Sequence, residues 1–310
     1  MSLLETNLFG IPMESPILTA SGTFGYGEEF SDFVELSRLG GVMVKGTTRQ
    51  PRRGNDGIRI TETPMGMLNA IGLENPGVDH FLSNILPRIK PYAMNVIVNI
   101  SGSTAEEYGE LAGMLDVNGV AAIELNVSCP NVKEGGIVFG TDPRAAASVV
   151  REAKAHTKKP VILKLSPNVT DIVTMAKAVE DAGTDGISLI NTLLGMEIDI
   201  ERCCPVLGNV TGGLSGPAVK PVALRMVYEV AKVVKVPLIG MGGIASARDA
   251  IAFILAGASA VAVGTANFTD PMVTMKICDG METYMKEHQL SSVSELVGKA
   301  NPDFRKGATK

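Results

Sequence analysis

The stretch VAAIELNVSCPN, Val120–Asn131, indicates how this chain folds, because a short apolar run ends in a cluster of polar side chains. A run of that length, Val120–Val127, predicts a buried strand of a parallel sheet. In α/β folds the carboxyl ends of such strands carry the functional groups. Cys129 could act there as a nucleophile, a proton-accepting base or a metal ligand, or it could be a small buried apolar residue. Asn126 and Asn131 could orient a planar polar ligand.

Seven further apolar runs of similar length bring the number of predicted strands to eight. The other strands are predicted in ILTASG, GGVMVKGT, NVIVNISG, PVILKLSP, GISLINT, VPLIGMGG and AVAVGTA. Amphipathic helices are predicted between them in TAEEYGELAGMLDV, DPRAAASVVREAKAHT, VTDIVTMAKAVEDAG, PAVKPVALRMVYEVAKVV and SARDAIAFILAG, several of which open with an N-cap residue. Eight strands in alternation with helices predict an α/β fold, the (β/α)8 TIM barrel. A doubly wound sheet is the alternative, but it usually has a GxGxxG after an early strand, which is absent.

Two connections are longer than the roughly 2 to 6 residues usual between a strand and the next helix. They are Thr48–Gly77 and Leu193–Gly216, and each follows a predicted strand. We therefore expect both insertions to lie over the carboxyl-terminal face of the barrel. The sequence contains no internal repeat, low-complexity tract or linker, so residues 1–310 are predicted to form a single domain.

The composition is that of an ordinary globular protein: 45% of the 310 residues are hydrophobic and 20% are charged, with a net charge of -5. This acidic balance argues against binding to nucleic acid, since the only short basic run is PRR at Pro51–Arg53. Neither a signal-peptide pattern nor an apolar stretch of about 18 residues occurs, so we expect a cytoplasmic protein without a membrane anchor. Four cysteines without CxxC spacing and three scattered histidines make a zinc or iron–sulfur site unexpected.

If the barrel is correct, the polar and glycine residues at the ends of its strands converge on one face. These residues are Ala20, Ser21, Gly22, Lys45, Gly46, Asn99, Asn126, Cys129, Lys164, Asn191, Thr192, Gly242, Gly243, Gly264 and Thr265. The glycines after the last two strands could hold a phosphate on backbone N–H groups, or they could simply form tight turns. The asparagines suit recognition of a flat heterocycle.

Charged residues in these strands lead to two further expectations. Lys45 and Lys164 end apolar strands, where a buried ammonium needs an anionic partner, so both are predicted to contact an anion. Glu124 lies within its strand, and we expect its carboxylate to point away from the mouth of the barrel. The mouth would then lack a pair of carboxylates for acid–base chemistry.

Eight segments spread over nearly the whole chain resemble one known family. They are LTASGTFGYGEE, VMVKGTTRQPRRGN, TPMGMLNAIGLENPG, NVSCPNVKEGGIVFGTDP, ILKLSPNVTDI, NTLLGMEID, GNVTGGLSGPAVKPVALRMVYEV and GMGGI. They resemble the dihydroorotate dehydrogenases, specifically the flavin-bearing catalytic subunits of the NAD-dependent class 1B. The fumarate-dependent class 1A is similar around Cys129, but KEGGIVFG and VTGGLSGPAVKPVALRMV are more like class 1B. The membrane-linked class 2 is less similar, because it carries serine at that position and an N-terminal membrane extension.

This resemblance implies an activity and a set of site residues. The activity is FMN-dependent oxidation of (S)-dihydroorotate to orotate in de novo pyrimidine (UMP) biosynthesis, with Cys129 as the base that removes a proton from C5. The implied orotate-binding positions are Lys45, Asn69, Ala70, Ile71, Gly72, Leu73, Asn126, Asn191 and Thr192. The implied FMN-binding positions are Ser21, Lys45, Gly46, Asn99, Asn126, Lys164, Ile190, Gly216, Gly242, Gly243, Gly264 and Thr265. Cys203 and Cys204 match no functional position, and structural roles are expected for both.

The resemblance also implies partners. A separate subunit carrying FAD and a [2Fe-2S] cluster would pass electrons to NAD, in a heterotetramer built on a homodimer of catalytic subunits. The chain itself shows neither a cysteine cluster for such a centre nor a nicotinamide fingerprint. Two other functions remain open: an FMN barrel that reduces another pyrimidine, such as uracil or a uridine in RNA, and a catalytically silent barrel that only assembles with partners.

Overall fold

Eight parallel strands close into a barrel in the computed structural model, which describes residues 3–128 and 139–305. In chain order, barrel strands one to eight are Ile17–Thr19, Gly41–Thr47, Val96–Ile100, Ala122–Asn126, Val161–Lys164, Gly186–Leu189, Leu238–Met241 and Ala260–Val263. Each strand pairs with the next, and the eighth pairs with the first. All eight predicted strands are confirmed, and so is the (β/α)8 TIM barrel.

Helices surround the barrel, and four of them begin after a side-chain N-cap, as the sequence predicted for several helices. The longer helices are Ala105–Met114, Pro143–His156, Ile172–Asp181, Lys220–Ala231, Ala247–Ala256 and Val273–Glu287, and the short ones are Val78–His80, Leu86–Ile89 and Ala266–Thr269. Thr104, Asp142, Asp171 and Ser246 each accept a hydrogen bond from a backbone N–H two or three residues later. No helix within the described ranges combines the length and the apolarity needed to cross a bilayer.

Short turns of helix complete the chain. A π-helix occupies Phe81–Ile85, and 3-10 turns lie at Glu28–Phe30, Leu36–Arg38, Lys90–Tyr92, Pro217–Val219 and Val293–Glu295. The first two of these 3-10 turns stand between barrel strands one and two, where an α-helix would continue the alternation. The predicted strand–helix alternation therefore begins in full only after strand two.

The inside of the barrel is apolar in its lower part, toward the amino ends of the strands. Leu18, Met43, Ile97, Ile162 and Ile239 fill this space and are inaccessible to solvent. Because side chains alternate between the two faces of a strand, the residues two positions later on the same strands also point inward. Those later positions form the upper part of the barrel interior, nearest its mouth.

A hairpin of Thr6–Leu8 and Ile11–Met13 lies against the lower end of the barrel. Side chains from both of its strands join the apolar cluster inside the barrel, and Phe9 at its turn packs against that cluster. The Phe9 ring lies so close to Gly186 that a Cβ on this glycine would overlap it. Because this ring occupies the space that a side chain would need, strand six begins with a glycine.

The two long insertions join into one antiparallel sheet at the mouth of the barrel. Its strands stand in the order Ile60–Thr63, Gly66–Asn69, Thr211–Ser215 and Leu193–Met196. A small pair, Ile198–Asp199 with Cys204–Pro205, belongs to the second insertion. The insertions follow barrel strands two and six, which confirms their predicted place at the carboxyl-terminal face. Their pairing with each other was not predicted.

Candidate active site

A layer of four buried polar side chains lies inside the barrel, directly above its apolar part. The Glu124 carboxylate accepts a hydrogen bond of 2.6 Å from Asn99 Nδ2 and one of 2.6 Å from Ser188 Oγ. Lys164 Nζ lies 4.0 Å from Glu124 Oε2 and donates a hydrogen bond of 3.3 Å to Ser21 Oγ. Barrel strands three to six each supply one member of this polar layer, so its geometry is fixed by the barrel itself.

The position of Glu124 corrects an expectation from the sequence. Its carboxylate does not point away from the mouth but lies within the barrel, beside Asn99 and Lys164, two of the implied FMN contacts. Strand four is buried on both faces, so its sequence does not indicate which side chains face the interior. The anionic partner predicted for Lys164 is therefore supplied at least in part by the protein.

Lys45 differs from Lys164 in this respect. No ion pair between residues that the structure describes involves Lys45, which is partly exposed at the end of strand two. Its neighbour Gly46 borders the polar layer, because a Cβ there would lie 3.0 Å from Asn99 Oδ1 and 3.6 Å from Leu73 Cδ2. Lys45 is thus a cation at the mouth that can serve an anionic ligand.

Two predicted asparagines lie side by side at the ends of strands four and six. Asn191 Nδ2 donates to Asn126 Oδ1 at 3.1 Å, and the Thr192 N–H donates to Asn191 Oδ1 at 2.8 Å. The hydroxyl of buried Tyr108 donates to the Asn126 carbonyl at 2.7 Å. The two amides are therefore fixed relative to each other, as recognition of a planar ligand with donors and acceptors requires.

The implied substrate-binding stretch Asn69–Leu73 is held by two asparagines that the sequence did not single out. Asn55 Nδ2 donates to the Ala70 carbonyl at 2.9 Å, and Asn75 Nδ2 donates to the Leu73 carbonyl at 2.7 Å. Asn75 is buried, and its side chain also bonds residues at the two ends of the first insertion. Both asparagines stand beside Gly or Pro, which is ordinary for turns, so no sequence signal marked them.

Three of the five glycines implied at the FMN site differ in why the position is glycine. Gly242 and Gly243 have φ angles of 119° and 77°, and a Cβ on Gly243 would lie 2.9 Å from the Gly216 carbonyl oxygen. The protein's own turn requires glycine at these two positions. At Gly264, by contrast, the nearest atom to an added Cβ would be Ala20 Cβ at 3.5 Å. Internal packing does not require glycine there, so the missing side chain leaves room for a ligand group.

Two other implied FMN contacts lie at the same end of the barrel. Thr265 Oγ1 donates to Ser215 Oγ at 2.8 Å, which ties the end of strand eight to the insertion sheet. Ile190 is buried after strand six, and its N–H donates to the Met241 carbonyl at 3.0 Å. The structure thus brings together residues from the ends of several strands, as the sequence predicted.

The predicted base, Cys129, lies outside the residues that the structure describes, and so does Asn131. Cys203 and Cys204 are exposed in the second insertion, whereas Cys278 is buried. Burial raises the pKa of the Cys278 thiol to about 11, so this cysteine is an unreactive, protonated thiol at neutral pH. Within residues 3–128 and 139–305, no group of three or more His, Cys, Asp or Glu side chains could hold a metal ion.

Comparison with known proteins gives one consistent result. The family model described as dihydroorotate dehydrogenase matches residues 3–285. A relative from Citrifermentans bemidjiense is 61% identical over 93% of this chain and 95% of its own, and one from Desulforamulus reducens is 59% identical over 96% and 98%. A third, from Bacteroides thetaiotaomicron, is 55% identical over 96% of this chain and 99% of its own. All three are named dihydroorotate dehydrogenase B (NAD(+)), catalytic subunit.

Proposed function

We propose that this chain, which belongs to the dihydroorotate dehydrogenase family, oxidises (S)-dihydroorotate to orotate with bound FMN as the first electron acceptor. The observation that carries the proposal is the polar layer beneath the mouth of the barrel. In it Asn99 and Lys164 both lie beside Glu124, and Lys164 also donates a hydrogen bond to Ser21 above the layer. We assign the reaction to de novo synthesis of UMP. A cytoplasmic location is part of the proposal and rests on the sequence pattern.

The residues at the mouth suit FMN in both charge and space. Lys164 would face the N1 and C2 carbonyl edge of the flavin, where negative charge develops when the ring is reduced. The room left at Gly264 and the backbone N–H groups near Gly242 and Gly243 suit a phosphate. When bound, FMN would supply the acceptor for the hydride that leaves C6 of the substrate.

The substrate is a small ring that carries a carboxylate, and the mouth offers matching groups. Lys45 has no ion-pair partner within the described part of the chain, so its ammonium is available for the carboxylate of dihydroorotate. The paired amides of Asn126 and Asn191 can recognise ring N–H and C=O groups. The stretch Asn69–Leu73, held by the asparagines beside it, would line the remaining side of the ring.

We assign the removal of the C5 proton to Cys129, the position at which the family resemblance implies the base. The Cys129→Ala variant should retain FMN yet lose dihydroorotate oxidation by roughly 100-fold to 10,000-fold, as general bases usually contribute that much. Flavin absorbance measures retention, and dye reduction measures turnover. The Cys129→Ser variant should keep slight activity displaced to higher pH, because a hydroxyl loses its proton less readily than a thiol. Near-native turnover of the alanine variant would remove this cysteine from the mechanism.

Electrons must then leave for a partner, and we propose a subunit that carries FAD and a [2Fe-2S] cluster and reduces NAD. We further propose that two catalytic chains form the core of a heterotetramer. Exposed apolar side chains of the two insertions support an interface between the two catalytic chains. These residues, which we call the insertion surface, are Ile58, Ile60, Met65, Leu194, Met196, Ile198, Ile200 and Val210. Large apolar side chains exposed in this number on one region of a protein often mark a surface that another protein covers.

The experiment that tests the function uses the purified chain with and without its partner. Alone, it should carry flavin and reduce an artificial dye with dihydroorotate, but it should not reduce NAD at a comparable rate. Adding the FAD and iron–sulfur subunit should restore NAD reduction. Efficient reduction of fumarate in its place would instead indicate class 1A. Oxidation of dihydrouracil in preference to dihydroorotate would indicate another pyrimidine, and a colourless protein would indicate a silent barrel.

A further inference from the structure

The polar layer contains the two most deeply buried charges of the described chain. Among residues 3–128 and 139–305, only Glu124 and Lys164 are charged side chains that are buried, at 0% and 5% exposure. Burying a lone charge is costly, so such a pair persists only when hydrogen bonds and the opposite charge compensate it. The proposed function gives Lys164 a role toward the flavin but leaves Glu124 without one.

Glu124 controls both of its neighbours through its hydrogen bonds. A carboxylate only accepts, so it selects the Nδ2 side of the Asn99 amide and turns Asn99 Oδ1 toward Gly46. The other oxygen accepts from Ser188, so each carboxylate oxygen accepts one hydrogen bond beneath the mouth. Its negative charge stands 4.0 Å from the Lys164 ammonium. At such a distance inside a protein, one charge strongly offsets the field of the other.

We infer that Glu124 is a positioning residue whose charge opposes that of Lys164 and so makes the bound flavin harder to reduce than Lys164 alone would make it. The inference rests on the proposed function, because it assumes a flavin above Lys164. Lys164 favours the reduced flavin by facing the negative charge that reduction creates. Glu124 offsets part of that effect. A flavin whose reduced form is less stabilised passes its electrons to the next acceptor more readily.

The Glu124→Gln variant removes the charge while it preserves the hydrogen bonds. The new carbonyl can still accept from Asn99 Nδ2, and the new NH₂ group can donate to Ser188 Oγ, whose hydroxyl rotates to suit. We expect the ratio of reduced to oxidised flavin, at equilibrium with a fixed reference dye, to rise roughly tenfold in this variant. A reductive titration of the bound flavin against the dye measures this ratio without turnover.

The matched control is Ser188→Ala, which removes one hydrogen bond from the same carboxylate but leaves its charge. Its flavin should titrate close to the wild-type flavin. A decrease or no change in the Glu124→Gln ratio would overturn the inference. An equal rise in Ser188→Ala would also overturn it, because geometry and not charge would then be responsible.

Other outcomes would separate a structural role of Glu124 from a failure of the proposed function. If Glu124→Gln fails to fold or to retain flavin, Glu124→Asp keeps the charge but withdraws it by one methylene, and a smaller rise is expected. If the ratio of reduced to oxidised flavin in Glu124→Asp is unchanged or lower, Glu124 has a structural role only. The same conclusion follows if Glu124→Gln and Glu124→Asp both lose flavin while Ser188→Ala retains it. A wild-type chain without flavin would instead overturn the proposed function, and this inference with it.

Discussion

The barrel and the sheet formed by its insertions bury their side chains in different ways. Barrel strands three to eight are buried along both faces, inward on the barrel interior and outward on the helices. The insertion sheet is covered on one face only. Of the twelve large apolar side chains exposed in the described chain, eight belong to the insertion surface. The barrel buries its apolar side chains within itself, whereas the insertions carry the groups that we propose for substrate binding and for an interface with another protein.

This difference leads to a general expectation. Substitutions inside the barrel should lower the free energy of unfolding, whereas substitutions in the insertions should act mainly on substrate binding or assembly. Four variants, taken from the largest expected loss of stability to the smallest, test how sharply the two regions differ.

The largest loss is expected for Lys164→Met, because it leaves the Glu124 carboxylate buried without its opposite charge. Removing one partner of a buried pair costs about 3–5 kcal/mol. Urea denaturation measures the loss, and flavin content should fall as well. The control is Lys154→Met, whose partner Asp185 is about one-third exposed. A partly exposed pair contributes up to about 1 kcal/mol, so equal losses in the two variants would contradict the role given to the buried pair.

The next loss is expected for Ile97→Ala in the apolar lower part of the barrel. Ile97 is completely buried, and its truncation should cost about 2–5 kcal/mol in urea denaturation. Flavin bound per folded molecule should stay at the wild-type level, because the polar layer above it is unchanged. The milder Ile97→Val should cost only about 0.5–1.5 kcal/mol. If Ile97→Ala lost flavin without a loss in the free energy of unfolding, the apolar lower part and the polar layer would not act separately.

A smaller loss is expected for Asn75→Ala in the first insertion. This side chain donates to the Leu73 carbonyl at 2.7 Å and accepts from the Gly77 N–H at 2.9 Å. Leaving buried partners without it should cost about 1–3 kcal/mol. Because the stretch Asn69–Leu73 would loosen, the KM for dihydroorotate should rise severalfold more than kcat falls.

Steady-state kinetics with a dye as acceptor provides this comparison. The control is Asn209→Ala, since Asn209 is exposed in the second insertion and its side chain donates a long hydrogen bond of 3.5 Å to the Thr211 carbonyl. Its KM should match that of the wild type. An unchanged KM in Asn75→Ala would mean that this insertion does not shape the substrate site.

The smallest loss of stability is expected for Leu194→Ser on the insertion surface. Leu194 is 67% exposed, so the change should alter the free energy of unfolding of one chain by no more than about 0.5 kcal/mol. Self-association should nevertheless weaken, because the proposed homodimer would lose an apolar contact. Sedimentation at several protein concentrations measures this. Phe268→Ser, which alters an apolar side chain that is 54% exposed outside the insertions, should leave the association unchanged. The opposite pattern would place the dimer interface elsewhere.

The sequence predicted the barrel because each strand is a short apolar run that ends in polar residues or glycine. The same feature limited the prediction of the site. A strand buried on both faces has no alternation of polar and apolar residues, so nothing in AIELN shows that Glu124 faces inward. Ser188 is likewise a single small polar residue in an apolar run. Both became recognisable only when the barrel placed them beside Asn99 and Lys164.

The insertion sheet could not be predicted for a different reason. Its central pairing joins Asn69 to Gly213, residues separated by 144 positions, and each strand is only four or five residues long. Short segments of this kind carry little pattern of their own, and their pairing depends on where the barrel places their ends. The family resemblance named Asn69–Leu73 as a substrate contact. The asparagines that hold this stretch, Asn55 and Asn75, were missed because each stands beside Gly or Pro and looks like an ordinary turn residue.

The hairpin beneath the barrel helps to close the lower end of its interior. With Phe9 against Gly186 and the lower interior filled with apolar side chains, the polar layer in the described part of the chain faces the rim where the insertions lie. In the proposed enzyme, orotate would therefore leave by the same rim through which dihydroorotate entered, while the electrons would leave through the docked partner subunit. Reoxidation of the flavin would then need no second small molecule at the site.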